Sequence, residues 1–329
     1  MTLYLMLLMA GVETQTASLS SNEHTVLFSD AWYYDTLFYD GGAYLVMKGN
    51  QLDREGMTIH HWGPDGLAKI FTTTPREGLF NARAAAVSKD GKTLYFSDFL
   101  QGLIFEYEPG GSFNRYDAKL YTEALACYNG QLFRGNKSPL NNLESIKGDM
   151  PVLKRINKQL PDDKHASEEA SNFNEMILLV VDHKLFVAYN LLDFYLVFDL
   201  RTGELLEKKG IHTPFAGYTI PDDTFVEITN DTKRNQLLKA EWYAQFHSLM
   251  VIAWHEGKLY GLFRKGYDCQ GIWASLDGKS KSDFVWDNNQ SDHKILAIGP
   301  TRVITADKEE KDDGETQWSL FLNSSLPSR

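Results

Sequence analysis

Seven ionisable residues, Asp35, Arg83, Glu123, Glu175, His247, Asp292 and His293, share one kind of position in this 329-residue sequence. Each stands just before, or at the start of, an apolar run that leads into a tight polar turn. Asp35, Glu123 and Glu175, with a histidine or two, make a donor set that suits a hard cation such as calcium. Arg83 is a poor companion for a cation: it either neutralises the acids or holds an anionic ligand. Polar groups converging on a concave surface are the usual mark of a binding site. The competing reading is that residues ahead of strands are ordinary solvated loop residues.

Signatures of defined chemistries are missing. The sequence has no Gly-x-Ser-x-Gly elbow, no phosphate loop, no His-Glu-x-x-His and no cysteine pair spaced for zinc, so catalytic residues stay unassigned. His60 and His61 are adjacent, and neighbours on a strand point to opposite faces, which predicts one packed and one solvated ring and not a metal pair. The acidic run "DKEEKDDGE" from Asp307 lacks the alternating oxygen ligands of a helix-loop-helix calcium site and reads as a solvated hairpin tip. Trp286-Asp287 is a lone dipeptide without the period of a WD40 repeat.

The elements that would carry the seven residues repeat. Six stretches place two apolar runs around a tight turn: "TLFYDGGAYLVM" from Thr36, "AAAVSKDGKTLYFSD" from Ala84, "ALACYNGQLFRG" from Ala124, "ILLVVDHKLFVAY" from Ile177, "LMVIAWHEGKLYGLF" from Leu249 and "ILAIGPTRVITAD" from Ile295. Each reads as a hairpin, with Gly42, Gly91, Gly130 and Gly257 expected to supply the positive φ of the turn. After three of them come a third run, a second turn and a more polar fourth run, as in "FYLVFDLRTGELLEK". Four antiparallel strands per unit, repeated about six times, predict an all-β, six-bladed β-propeller. The aromatic content of 13% suits such strands. In a propeller the first strand of each blade lines the channel, which would bring the seven residues to one mouth of it.

Tyr95-Phe96-Ser97-Asp98 is similar to the Tyr-Trp-Thr-Asp signature of six-bladed propellers. The same ending marks second strands in the superfamily of NHL repeats, gluconolactonase-like enzymes and strictosidine synthase-like proteins. "VLFSD" at Val26 to Asp30 and "VITAD" at Val303 to Asp307 are weaker echoes. The resemblance implies the fold along nearly the whole chain. The gluconolactonase-like relatives bind a divalent metal at the channel mouth, but no local motif here carries their ligands over.

Two segments depart from the repeat. Residues 134–173 are polar and charged; "PVLKRINK" is expected to complete the third blade as a strand and the rest to form a long surface loop. In "NDTKRNQLLKAEWYAQF", Leu237, Leu238, Trp242 and Phe246 fit a helical face or a twisted outer strand.

Charge and the N-terminus bound the setting. With 33 Lys and Arg against 44 Asp and Glu, net −11, and no basic run, neither nucleic acid nor an anionic membrane is an expected partner. "LYLMLLMAGV" at Leu3 to Val12 is too short to span a bilayer; it fits a secretory signal over residues 1–18, cleaved near Ala17, or a buried first strand. Asn136, Asn230, Asn289 and Asn323 head N-glycosylation triplets, in keeping with a secreted glycoprotein. Cys127 and Cys269 do not report the compartment. Residues 19–329 are expected to form one domain, a monomer, closed by an N-terminal strand near His24 to Ser29 pairing with the run at "WSLFLN". Three classes of function stay open: a secreted propeller that binds a small ligand or partner protein, a calcium-dependent hydrolase or lactonase-like enzyme, and a structural interaction platform.

Overall fold

Apolar runs that alternate between two faces form strands, and each of the six tight turns joins two of them into an antiparallel hairpin. The computed structural model describes residues 23–26, 32–48, 57–63, 66–72, 82–98, 101–108, 113–118, 122–136, 142–161, 175–214, 247–265, 271–277, 284–287, 293–310, 316–324 and 326. After β1 (Glu23–Val26), strands β2 (Trp32–Tyr39), β3 (Gly42–Lys48), β4 (Met57–Gly63) and β5 (Gly66–Thr72) form one sheet in chain order. A second holds β6 (Ala82–Val87), β7 (Leu94–Asp98), β8 (Leu103–Tyr107) and β9 (Phe113–Asp117). The third has only three strands among the described residues, β10 (Thr122–Tyr128), β11 (Gln131–Asn136) and β12 (Leu143–Lys147), followed by helix α1 (Val152–Asn157).

The fourth sheet is β13 (Met176–Val181), β14 (Lys184–Tyr189), β15 (Phe194–Asp199) and β16 (Leu205–Gly210). The fifth is β17 (His247–His255), β18 (Lys258–Lys265), β19 (Gly271–Ser275) and β20 (Phe284–Asp287). The last is β21 (His293–Ile298), β22 (Val303–Glu310) and β23 (Thr316–Asn323), to which β1 adds antiparallel as the fourth strand, His24 opposite Leu320 and Val26 opposite Trp318. The N-terminal strand thus joins the C-terminal sheet at the place its pattern predicts.

The chain divides into two units, Tyr121–Asn289 (with Met1–Leu5) and Met6–Leu120 with Gln290–Arg329. Within each unit three sheets stack, and the middle sheet is apolar on both faces. In the first unit Leu185, Val187 and Tyr189 of β14 enter one core with Phe133, Leu143 and Phe198. Their neighbours Phe186 and Ala188 enter another with Leu249, Phe263 and Ala274. In the second unit β3 divides likewise, Ala43 and Leu45 packing with Trp62, Ile304 and Leu320. Tyr44 and Val46 pack with Ile59, Phe96 and Phe105. Each fully buried side chain of this size contributes about 1.5–3 kcal/mol of burial.

The turns explain their sequences. At "VSKDGKT", Ser88 Oγ donates to Asp90 Oδ1 at 2.7 Å and accepts from the Thr93 N–H at 2.9 Å, while Gly91 adopts φ +72°. Gly130 and Gly257 also have positive φ, following Asn129 and Glu256 in the same region. Gly42 does not, contrary to expectation; a Cβ there would lie 2.2 Å from the Trp62 carbonyl oxygen, so close strand approach and not turn geometry requires the glycine. In the "YFSD" motif, Ser97 Oγ accepts from Ala84 N at 3.0 Å where β6 bulges against β7. Asp98 accepts from Gln101 N and Nε2 at 3.0 and 3.1 Å. Both polar residues of the motif therefore hold backbone irregularities in place.

The third sheet corrects two expectations. "PVLKRINK" does not form a strand but contains α1, and part of the segment expected to be a loop contains β12. Leu153 and Ile156 put one helical face, with Met150 and Leu160, into the core shared with the fourth sheet. Asn157 then substitutes for a strand residue: its Oδ1 accepts from Leu143 N at 2.8 Å and its Nδ2 donates to Leu143 O at 2.9 Å. The remainder, 162–174, lies outside the described residues, as do the proposed leader and the segment with Leu237 and Trp242. Among the described residues no helix is long and apolar enough to cross a membrane.

Of the adjacent histidines, His60 is packed as expected, while His61 is only partly solvated. His60 is buried, and His61 is half-buried in an aromatic group with Tyr39 and Tyr44, ring centroids 5.9 and 5.0 Å away. The Tyr39 hydroxyl and His61 Nε2 are hydrogen-bonded, and Tyr44 donates to the Gly91 carbonyl of the next sheet at 2.6 Å. Burial, with Tyr39, Tyr107 and Asp90 nearby, pushes the Tyr44 phenol up to about 12.

Two predictions follow from these contacts. Asn157→Ala strips both bonds from Leu143 and should cost about 1–3 kcal/mol in urea unfolding, whereas a change at exposed Lys158 should cost almost nothing. Burial holds the His61 imidazole below its ordinary value, so its contribution to stability is present above the unfolded value of about 6.5 and is lost as pH falls through the folded one. Unfolding free energies measured from pH 7.5 to 5 should therefore fall more steeply for the wild type than for His61→Gln.

Candidate functional site at the strand-entry end

Of the seven expected site residues, the side chains of Glu123 and Glu175 are described. Asp35 lies in β2, Arg83 in β6, His247 opens β17 and His293 opens β21; nothing is described of their side chains, and Asp292 lies outside the described residues. Glu123 and Glu175 belong to the unit 121–289, where three sheets present the starts of their first strands at one end.

Glu123, the second residue of β10, is 6% exposed, and its Oε2 accepts from the Met176 N–H of the next sheet at 3.2 Å. The close approach needs Gly135, since a Cβ there would lie 2.6 Å from Met176 Sδ. Glu175 is 8% exposed and immediately precedes β13. Its N–H donates to Asn190 Oδ1 at 2.8 Å, and its carbonyl accepts from the Asn190 N–H at 3.0 Å. The Asn190 carbonyl in turn accepts from Leu249 N of β17 at 2.9 Å. Hydrogen bonds therefore link the three sheets in sequence at this end, one through a carboxylate and one through a backbone carbonyl.

Two buried guanidinium groups share the end, and spacing alone did not single them out. Arg134 of β11 is buried; its Nη1 donates to Thr122 Oγ1 at 3.1 Å, and Nε and Nη2 donate to Glu144 Oε2 at 3.2 and 2.6 Å. Arg264 of β18 is buried and stands opposite Ser248, itself buried, at the start of β17. Both arginines lie on second strands, whereas the sequence pattern points to residues ahead of first strands. The visible signal was a cation in an otherwise apolar run, "LFRGN" and "LYGLFRK".

No group of three or more His, Cys, Asp or Glu suited to a metal ion occurs among the described residues. Glu123 and Glu175 are the two described side chains of the candidate calcium trio, and Glu123 Oε2 is engaged by the Met176 N–H. The asparagines of two glycosylation triplets are among the described residues. Asn136 is buried and donates Nδ2 to Asn142 Oδ1 at 3.0 Å, and Asn323 donates Nδ2 to Thr305 Oγ1 at 3.0 Å; both amides are engaged within the fold. Asn230 and Asn289 lie outside the described residues, as does Cys269, while Cys127 sits half-buried in β10.

No protein-family model matches the sequence. No curated protein matches it either. Solved structures do share its fold. A member of the DUF4221 family from Bacteroides vulgatus is similar with TM-score 0.54 and 9% identity, covering 94% of this chain and 100% of that one. A putative exported protein from Bacteroides fragilis is similar with TM-score 0.50 and 9% identity, covering 95% of each chain. The β-propeller domain of Cps50 (Swd1) from Myceliophteria thermophila aligns at TM-score 0.45 and 10% identity, over 95% of this chain and 100% of that one. Sheets laid down strand after strand, each stacked on the next within its unit, with a first strand that completes the last sheet, decide the class. The chain has a β-propeller fold. At 9% identity the likeness to the two Bacteroides proteins speaks to the fold alone.

The inter-sheet link at Glu123 yields a prediction that separates structure from ligand binding. Glu123→Ala leaves the Met176 N–H facing a gap and should lower the unfolding free energy by about 1–3 kcal/mol. Glu123→Gln keeps an acceptor oxygen and should cost distinctly less. Equilibrium unfolding of both variants in urea would measure the difference.

Proposed function

We propose that the protein is a secreted binding propeller that takes a small polar ligand, or a charged side chain of a partner protein, at the strand-entry end of residues 121–289. The six sheets are read as six blades of one domain, after the manner of the NHL and YWTD-type propellers, with α1 standing in for a fourth strand in the third blade. One observation carries the binding reading: Glu123, Glu175, Arg134 and Arg264 are all buried at the same end of three consecutive sheets. Burying ionisable groups is costly unless they are paired, and clusters of them are enriched where proteins bind ligands. Both signs are present, which suits a zwitterionic or hydrogen-bonding ligand better than a bare cation.

Thermal unfolding against a panel of amino acids, sugar acids, calcium and EDTA tests this reading, because a ligand that binds only the folded state raises the midpoint. The expected result is a rise with a polar organic ligand that disappears in Glu175→Gln. A rise with calcium, reversed by EDTA, would favour the hydrolase or lactonase-like alternative. A midpoint unmoved by every compound would overturn the small-ligand reading.

A further inference from the structure

Asn129-Gly130 is the one Asn-Gly pair in the sequence. It forms the two-residue turn between β10 and β11, where Tyr128 stands opposite Gln131, and both turn residues have positive φ, 49° and 74°. Hairpin geometry favours the pair, but Asn followed by Gly also carries a chemistry of its own. The side-chain amide carbon can be reached by the next backbone nitrogen to close a succinimide ring, and a residue without Cβ does not crowd that approach.

Three features of this turn leave the reaction open. Asn129 and Gly130 are both exposed to water. A Cβ on Gly130 would meet nothing within 4 Å, so no neighbouring segment screens its nitrogen. Among the described residues, no hydrogen bond holds the Asn129 amide or the Gly130 N–H. The Asp90-Gly91 turn shows the contrast: Asp90 Oδ1 accepts from Ser88 Oγ at 2.7 Å and Lys92 N at 3.2 Å, and a Cβ on Gly91 would lie 2.4 Å from the Tyr39 ring. Glu256-Gly257 is as open as Asn129-Gly130 but offers a carboxylate, a poorer electrophile, and needs a larger ring.

We propose that Asn129-Gly130 is a site of spontaneous backbone modification. The Gly130 nitrogen bonds to Asn129 Cγ, the amide C–N bond breaks, and ammonia leaves with the Gly130 proton. Water then opens the succinimide. Attack at the side-chain carbonyl leaves an aspartyl residue at position 129; attack at the main-chain carbonyl breaks the original peptide bond and leaves the chain running through Cγ as an isoaspartyl link. Water is the only co-reactant, and one negative charge is added. The isoaspartyl link inserts an extra main-chain carbon, so the two-residue turn no longer fits and the pairing of Tyr128 with Gln131 is weakened. The same hairpin carries Glu123 and Arg134 at its far end, but the modification does not depend on any ligand there.

The test holds the full folded chain at mildly alkaline pH in heavy-oxygen water, returns it to ordinary water and digests it with trypsin. Mass spectrometry follows the peptide Leu120–Arg134, with electron-transfer fragmentation to separate aspartyl from isoaspartyl. Both products should carry heavy oxygen, isoaspartyl in excess, and should form ahead of any change at Asn114, Asn157 or Asn190. Asn129→Gln, which keeps an amide but needs the larger ring, and Gly130→Ala, which crowds the nitrogen, should each slow conversion about tenfold or more. The isoaspartyl form, isolated by chromatography, should unfold at lower urea than the unconverted chain; equal stability would overturn the weakening of the hairpin. An amide retained in the folded chain while the urea-unfolded chain converts overturns the proposal, because the native turn would then protect it. So does an aspartyl product alone, which marks direct hydrolysis of the amide. Circular dichroism establishes that each variant is folded before its rate is compared.

Discussion

An antiparallel sheet that is apolar on both faces must be covered twice, and this constraint organises the protein. β14 and β15 are buried along nearly their whole length, yet their side chains alternate between two cores. Leu196 and Phe198 enter one core while Tyr195 and Val197 enter the other. A sheet of this kind is stable only between two neighbours, and each neighbour gains its own core from the contact. The same holds for β3 and β4 in the other unit. Stacking is therefore the only way these strands can leave water, and the hairpin-by-hairpin order of the chain supplies each neighbour from the next stretch of sequence.

Once sheets stack, their ends become the places where polar groups have to be reconciled. At the strand-entry end of residues 121–289 this is done partly with side chains, Glu123 reaching the Met176 N–H and Asn190 pairing with the backbone of Glu175. At the hairpin-turn end of the first and second sheets, in the other unit, Tyr44 crosses to the Gly91 carbonyl, and the Asp40 N–H donates to Lys89 O. Links of this kind fix the spacing between sheets. They also mean that a buried ionisable residue here has a structural duty alongside any role in binding, which is why alanine and conservative variants of Glu123 are informative together.

The third sheet shows how the pattern tolerates an exception. With no fourth strand among its described residues, it buries Leu153 and Ile156 from a helix and closes one backbone pair of β12 with the Asn157 amide. The helix also supports its neighbour: Arg155 donates to Thr202 O at 3.1 Å, and Gln159 holds the turn that leads into β16. Strand β16, exposed along its length, is thus anchored at its first residue by Gln159, just beyond the helix of the preceding sheet.

The sequence by itself determined the six hairpins, most outer strands and the pairing of the N-terminal strand with β23, because each follows from local alternation, a turn residue or the need to complete a sheet. It also located Glu123 and Glu175, acids placed ahead of apolar runs. It did not determine that "PVLKRINK" is helical, since Val152, Leu153 and Ile156 fit either a strand or a short amphipathic turn until a neighbouring core is there to receive them. Nor did it show that Gly42 answers to the Trp62 carbonyl, that Ser97 bridges a bulge, or that Arg134 and Arg264 share an end with the two glutamates. Those facts belong to the tertiary structure for one physical reason: each depends on an atom from another strand or sheet, and local periodicity carries no information about distance across the fold.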